Sequence, residues 1–296
     1  VAFRATLKTP AKLNLGLRVG RKLECGYHGL ETIFQAVSLY DRIEVCPGRE
    51  RDDLLEVSGP VAVPENSSNL VLQALDFLRS KVVKIPPLKI KLYKQIPTGA
   101  GLGGGSANAA GIIMLAVKLW GADINEELFE WRLARELGAD VPFFLRGGTA
   151  KAAGIGEQLI PLTSQRGAAL IVVPQTAVST EMAYSKLTKR GKNYRSYLTT
   201  ANPGEEMAWK SWPLTNDFWP LIGPENEELV FIREELENFS GQVGLTGSGS
   251  GIYALFENEK IARPAEQELK NKLETAEIFR VNFAGGVKIE TEEEPD

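Results

Sequence analysis

Pro97-Thr98-Gly99-Ala100-Gly101-Leu102-Gly103-Gly104-Gly105-Ser106-Ala107-Asn108 places five glycines in the seven positions from 99 to 105. Before it, Leu88 to Ile96 alternates like a strand; after it, Ser106 to Trp120 is a largely apolar run of helical length. Glycine lets a ligand approach the main chain closely, and amides at a helix start converge on an anion that the helix dipole favours. No Asp or Glu occurs from Gln95 to Ala122. First helical turns are usually rich in carboxylates, so their absence fits an anionic ligand. A flexible turn capped by Ser106 is the plainer reading, but it needs neither Leu102 at its centre nor an apolar helix behind it. The stretch therefore reads as a phosphate-binding loop, with Pro97, Gly99, Gly101, Leu102, Gly103, Gly104, Gly105, Ser106 and Asn108 as its contact residues.

Two familiar phosphate loops fit poorly. A P-loop ends in Gly-Lys-Ser/Thr, and this one ends Gly105-Ser106-Ala107. A dinucleotide fingerprint can be placed on Gly99, Gly101 and Gly104, with Asp123 near the ribose position. Such loops follow directly on an apolar strand, however, and Lys94 to Thr98 intervene.

Outward from the loop, the pattern predicts strands at Phe3 to Thr9, Leu13 to Val19, Thr32 to Leu39 and Asp41 to Cys46. Helices are expected at Leu70 to Ser80, Asn125 to Leu137, Glu181 to Leu187, Glu225 to Phe239, and Ala265 to Ala276 with Pro264 as a suitable first turn. Ala168 to Val173, Ile252 to Phe256 and Phe279 to Ile289 read as later strands. Lys189 to Ala201 reads as a loop, and Glu290 to Asp296 as a frayed end. Strands and helices mix without strict alternation, which predicts an α+β fold.

The chain has 296 residues and a net charge of -4. An acidic chain of ordinary composition argues against a nucleic-acid binder, although a pocket on it can still be cationic. Cys25 and Cys46 are too few for a disulfide scaffold, and one histidine excludes a multi-histidine metal site. The first residues lack an apolar signal core, and no apolar run reaches the roughly 20 residues that span a bilayer. A cytoplasmic protein, monomer or homodimer, with no membrane or nucleic-acid partner, is expected.

Pro97 to Ala110 resembles the phosphate loop of the GHMP kinase superfamily. Pro10-Ala11-Lys12-Leu13-Asn14-Leu15-Gly16-Leu17 is similar to its first motif, and Leu245-Thr246-Gly247-Ser248-Gly249-Ser250 to its third. Gly26-Tyr27-His28 and Leu137-Gly138-Ala139-Asp140-Val141-Pro142-Phe143-Phe144 resemble the diphosphocytidyl-methylerythritol kinases in particular. Cys25 and Gly244 depart from that family, which usually has an acidic residue at the first position and often a basic one at the second. The resemblance implies a two-lobed fold with the active site in the cleft, an ATP-binding lobe over residues 1–160 and a substrate-side lobe over 161–296. It implies ATP, with Mg2+ carried on it, and a small-molecule substrate with a cytidine diphosphate moiety. No carboxylate cluster of the chain's own is seen for the ion.

Lys12 could be a strand-edge lysine with its head in water; the resemblance makes it the cation between acceptor hydroxyl and γ-phosphate. Asn14 shares its face at the two-residue period. Asp140 lies between Gly138 and Pro142 and suits a helix cap; the resemblance makes it the general base, and both roles are compatible. His28 would ordinarily be structural. With Tyr27 beside it and Phe34 six residues on, it also suits a pyrimidine base. The family assigns Tyr27 and His28 to cytosine, and Thr180 and Tyr184 match its opposite wall. Asn66 and Asn69 fall where relatives contact adenine or ribose, and Lys94 precedes the loop on the nucleotide side.

Overall fold

The computed structural model describes residues 3–81, 84–122, 129–163, 166–176, 178–188, 212 and 214–293. Its spine is a pair of long antiparallel strands, β1 (Phe3–Lys22) and β2 (His28–Pro47). The sequence pattern divides each into two. The division has a physical origin, because the pairing shifts register between Pro10 and Ala11 and between Asn14 and Leu17. Such bulges interrupt the alternation and bend the strand without ending it.

β3 (Leu54–Ser58), β4 (Leu88–Tyr93), β5 (Thr149–Ala153) and β6 (Gln158–Leu162) extend this sheet. A second sheet holds β7 (Ala168–Val173), β8 (Val243–Leu245), β9 (Ile252–Phe256) and β10 (Glu277–Asn282), in the order β10-β7-β9-β8. The segment expected as one strand from Phe279 to Ile289 is split. After β10 the chain crosses back, and β11 (Lys288–Glu293) pairs with β1 at the edge of the first sheet. Glu290 to Glu293, expected to fray, are therefore paired; 294–296 lie outside the described residues. Among the described strands only β3 and β4 run parallel, which removes the doubly wound dinucleotide fold; Asp123 lies outside the described residues.

α1 (Leu70–Lys81), α2 (Gly104–Trp120), α3 (Phe129–Glu136) and α4 (Val141–Arg146) belong to the first sheet's side. α5 (Thr180–Thr188), α6 (Trp219–Ile222), α7 (Glu227–Glu237) and α8 (Glu259–Lys272) belong to the second. α8 starts earlier than its periodicity indicates, because Asn258 Oδ1 accepts the amides of Lys260 and Ile261 at 3.0 and 3.2 Å. Pro264 consequently lies inside the helix. The Lys189 to Ala201 loop and the start of the Asn125 helix fall outside the described residues.

Three cores follow from this layering. Leu7, Ile43 and Ile90 pack against Leu75, Ile112 and Phe144 under the first helices. Leu170, Ile252 and Ala254 pack against Leu229, Ile232 and Leu269 under the second. Leu13, Leu15 and Val37 meet Ile171, Tyr253 and Leu255 between the sheets. β1 is buried on both faces here, so even the polar Thr9, Lys12 and Asn14 lie inside.

Tyr253 joins the two sheets, its hydroxyl donating to the Asn14 carbonyl at 2.9 Å. A Cβ at Gly244 would fall 2.5 Å from that hydroxyl. The departure at Gly244 thus has a packing cause. Gly244→Ala should lower stability by about 1–3 kcal/mol through overpacking, read as a lower midpoint in thermal denaturation.

Candidate active site

A cavity of about 680 Å³ opens where the two sheets and both glycine clusters meet. β1 contributes Lys12 and Asn14, the β1–β2 turn contributes Gly26 and Tyr27, and His28 opens β2. Phe34 comes from β2, Gly101, Gly103 and Ser106 from the loop and the start of α2, and Asp140 from the entry to α4. Thr180 and Tyr184 of α5 close it together with Gly247 and Ser248. Eleven of the residues singled out from sequence thus line one space: Lys12, Asn14, Tyr27, His28, Phe34, Gly101, Gly103, Ser106, Asp140, Thr180 and Tyr184.

Lys12 is 3% exposed. Its backbone amide donates to the Leu102 carbonyl at 3.0 Å, which joins strand to loop. Its ammonium donates to Asn14 Oδ1, lies 3.3 Å from Asp140 Oδ2, and sits 5.2 Å from the centre of the Phe34 ring. Asn14 is fixed in turn, its Nδ2 donating to Thr32 Oγ1 at 3.1 Å and its amide to Thr246 Oγ1 at 3.2 Å. The strand-edge reading of Lys12, with its head in water, does not hold.

Asp140 occupies the position before α4, yet its side chain makes no capping bond. Pro142 removes one of the amides that a cap would serve. The carboxylate, 28% exposed, is turned towards Lys12 and the cavity instead.

At the opposite wall, His28 Nδ1 lies 2.9 Å from the Gly20 carbonyl. A carbonyl only accepts, so Nδ1 carries the proton. The imidazole centre is 5.5 Å from that of Tyr184, which meets Phe218 edge-on at 4.9 Å. Burial, and then the Asp140 carboxylate, push the Tyr184 phenol up to about 12. Tyr27 stands at the rim, 41% exposed.

The glycine crowding has a packing cause. A Cβ on Gly101 would meet the Thr246 oxygen at 2.1 Å, one on Gly103 the Phe144 ring at 2.9 Å, and one on Gly104 the Lys94 ammonium at 2.7 Å. Neighbouring chain occupies those places. Gly99 has open space there.

Several expected contact residues lie outside the cavity lining. Pro97 and Leu102 are buried. Asn108 faces inward and accepts from Thr9 Oγ1 at 2.8 Å. Lys94 lies behind the loop, paired with Asp41, and burial pulls its ammonium below the usual lysine range while Asp41 pulls it back up. Asn69 caps α1 through the Val71 amide at 3.0 Å, and Asn66 accepts from Ser68. Gly105 follows in the first turn of α2, where a Cβ would meet Leu70.

Sequence reading did not select Thr32, Asn216 or Ser248. Ser248 Oγ is 2.9 Å from Thr180 Oγ1. Asn216 Nδ2 donates to the carbonyls of Leu245 and Gly247 at 2.8 and 2.9 Å, holding the second glycine cluster. The cluster itself was a signal; Asn216 stands in a stretch without periodicity. Among the described residues no three His, Cys, Asp or Glu gather as a metal site, and no helix is long and apolar enough to cross a membrane.

Tyr184 gives this site a spectroscopic handle. The folded state keeps the phenol protonated above the ordinary tyrosine range, so this group's stabilising contribution is lost as pH rises from about 10 through about 12. Absorbance titration should show a late-ionising tyrosine that is missing in Tyr184→Phe.

The N-terminal and C-terminal domain models of the GHMP kinases match residues 69–148 and 201–275. The 4-diphosphocytidyl-2-C-methyl-D-erythritol kinase of Geobacter sulfurreducens is 36% identical over 274 residues, covering 90% of this chain and 95% of the relative. A crystal structure of a 4-(cytidine 5'-diphospho)-2C-methyl-D-erythritol kinase superposes with a TM-score of 0.73 at 30% identity, over 95% of this chain and 100% of that one. The homoserine kinase of Cytophaga hutchinsonii shares the fold alone, with a TM-score of 0.64 at 16% identity over 97% of each chain. Matched along nearly its whole length, the chain belongs to the GHMP kinases, in the 4-diphosphocytidyl-2-C-methyl-D-erythritol kinase family.

Proposed function

We propose that the chain transfers the γ-phosphate of ATP to the 2-hydroxyl of 4-diphosphocytidyl-2-C-methyl-D-erythritol, a step of non-mevalonate isoprenoid biosynthesis in the cytoplasm. The observation that carries this reading is the Lys12–Asp140 pair, 3.3 Å apart, in a cavity walled by glycine loops on one side and by His28 and Tyr184 on another.

Phosphoryl transfer asks a protein mainly for positioning and for charge stabilisation. In this reading the amides of the 99–105 loop hold the ATP phosphates, and residues 1–160 form the nucleotide side. Adenosine lies towards Asn66 and Asn69. The Lys12 ammonium, fixed by Asn14, faces the charge that spreads over the transferred oxygens. Asp140 accepts the hydroxyl proton. Mg2+ prefers oxygen ligands and usually keeps waters and substrate phosphates beside one or two carboxylates. Ser106, a hydroxyl at the start of α2 that lines the cavity, fits such an ion beside the phosphates. When bound with ATP it would supply neutralisation of the phosphate charge.

Residues 161–296 form the substrate side, joined by Tyr27 and His28 from the first lobe, while β11 returns to the first sheet. His28, Tyr27 and Tyr184 are assigned to the cytosine, whose ring offers two faces and a hydrogen-bonding edge. Stacking a base on an aromatic contributes roughly 1–3 kcal/mol. His28→Ala and Tyr184→Ala should therefore raise KM for the cytidylyl substrate and change that for ATP much less. An ADP-release assay should show turnover with this substrate and little with homoserine, mevalonate or 2-C-methyl-D-erythritol 4-phosphate. Equal turnover of the last compound would remove the cytidine from recognition. Asp140→Asn should lower kcat by about 100-fold to 10,000-fold, with the affinity for an ATP analogue unchanged by calorimetry.

A further inference from the structure

We propose that the buried Asp41–Lys94 pair is a positioning device for the phosphate loop, acting through the backbone and not by touching the nucleotide. The proposal rests on the reading that this loop holds ATP. Asp41 is 0% and Lys94 2% exposed, and their charged atoms are 2.5 Å apart. Pairing of β4 with β2 ends at Tyr93. Beyond it, Asp41 Oδ1 accepts the amides of Gln95 and Ile96 at 2.7 and 2.8 Å, in place of a strand partner. Pro97 has no amide to continue the ladder.

The Lys94 ammonium closes the circuit. It donates to the Ile96 carbonyl at 2.9 Å, at the entry to the loop. It also fills the place that a Cβ on Gly104, the first residue of α2, would take. One cation therefore touches both ends of the segment 97–103. Thr9 adds a second tie, donating to Asn108 in α2 at 2.8 Å.

Stability alone does not account for the pair. Desolvating two charges is costly, and well-packed apolar replacements of buried ion pairs are often neutral or stabilising. What an apolar pair could not do is fix the Gln95 and Ile96 amides and the Ile96 carbonyl together. Loop amides held in advance need no reorganisation when phosphate arrives.

The test compares wild type, Asp41→Asn, and the double variant Asp41→Leu/Lys94→Met by calorimetry with a non-hydrolysable ATP analogue and by steady-state kinetics. The double variant removes both charges, so it remains informative if Asp41→Asn, which strands a buried ammonium, fails to fold. Analogue affinity should fall by about 10-fold to 100-fold, as expected for small misplacements of a binding group. KM for the cytidylyl acceptor should change much less, and the double variant, which leaves the Gln95 and Ile96 amides without their acceptor, should stay folded with a lower melting midpoint. A folded double variant with wild-type analogue affinity would overturn the proposal alone. Failure of the wild type to bind the analogue would overturn the ATP reading and the proposal with it. Equal losses for both substrates would reduce the pair to a structural role and also overturn it.

Discussion

A Cβ on Gly101 would lie 2.1 Å from the carbonyl oxygen of Thr246, so the two glycine clusters touch backbone to backbone. The contact is stitched by hydrogen bonds. Thr246 Oγ1 donates to the Gly101 carbonyl at 3.0 Å, and the amides of Ser250 and Gly251 each donate at 3.3 Å, to the carbonyls of Gly99 and Ala100. Asn14 sits at the junction, bound to Thr246, Thr32, Tyr253 and Lys12. The second sheet thus shapes the glycine loop of the first. This is why a strand near the N-terminus and a loop more than 230 residues later serve one cavity, the Asn14–Thr246 bond spanning 232 positions.

The junction also resolves a tension in charge. The chain carries a net -4, yet the cavity is lined by Lys12 and Lys22 against the single carboxylate of Asp140. A low-dielectric wall focuses such local charge, and an acidic protein can present a cationic cleft to an anion. Burying an ammonium is costly without partners. Lys12 meets that cost with the Asn14 oxygen, the Asp140 carboxylate and the Phe34 ring. Each partner comes from a different element, so the ammonium is placed only once the fold is complete.

Much of this was legible in local pattern. Strand, glycine loop and apolar helix follow one another as the residues from Leu88 to Trp120 indicate. The loop's neighbourhood with Lys12, His28 and Asp140 was legible only through family resemblance, because sequence spacing carries no information on which elements meet. The failures are equally physical. The bulges in β1 and β2 look like strand ends because alternation is broken there while pairing persists. Asn108 and Lys94 are polar residues beside a glycine loop, and nothing in their identity says that they face inward to Thr9 and Asp41. Short strands such as β5 and β8 are held by tertiary pairing, not by their own pattern.

The His28–Tyr184 contact carries the argument one step further. Their centres lie 5.5 Å apart at a tilt of 38°. A planar base stacked between two rings needs roughly 7 Å, twice the carbon–carbon contact of about 3.5 Å. The two rings are therefore in mutual contact, and under the proposed function a base placed between them would require them to part. His28 is anchored on Gly20 of β1, inside the first sheet. Tyr184 is carried by α5, a nine-residue helix whose neighbour in the fold is the four-residue α6. On its other side α5 packs through Ala183 and Tyr184 into the second core. Thr180 Oγ1, 2.9 Å from Ser248 Oγ, ties the same helix to the second glycine cluster. One short helix thus touches both the aromatic wall and the second glycine cluster, which itself packs on the 99–105 loop.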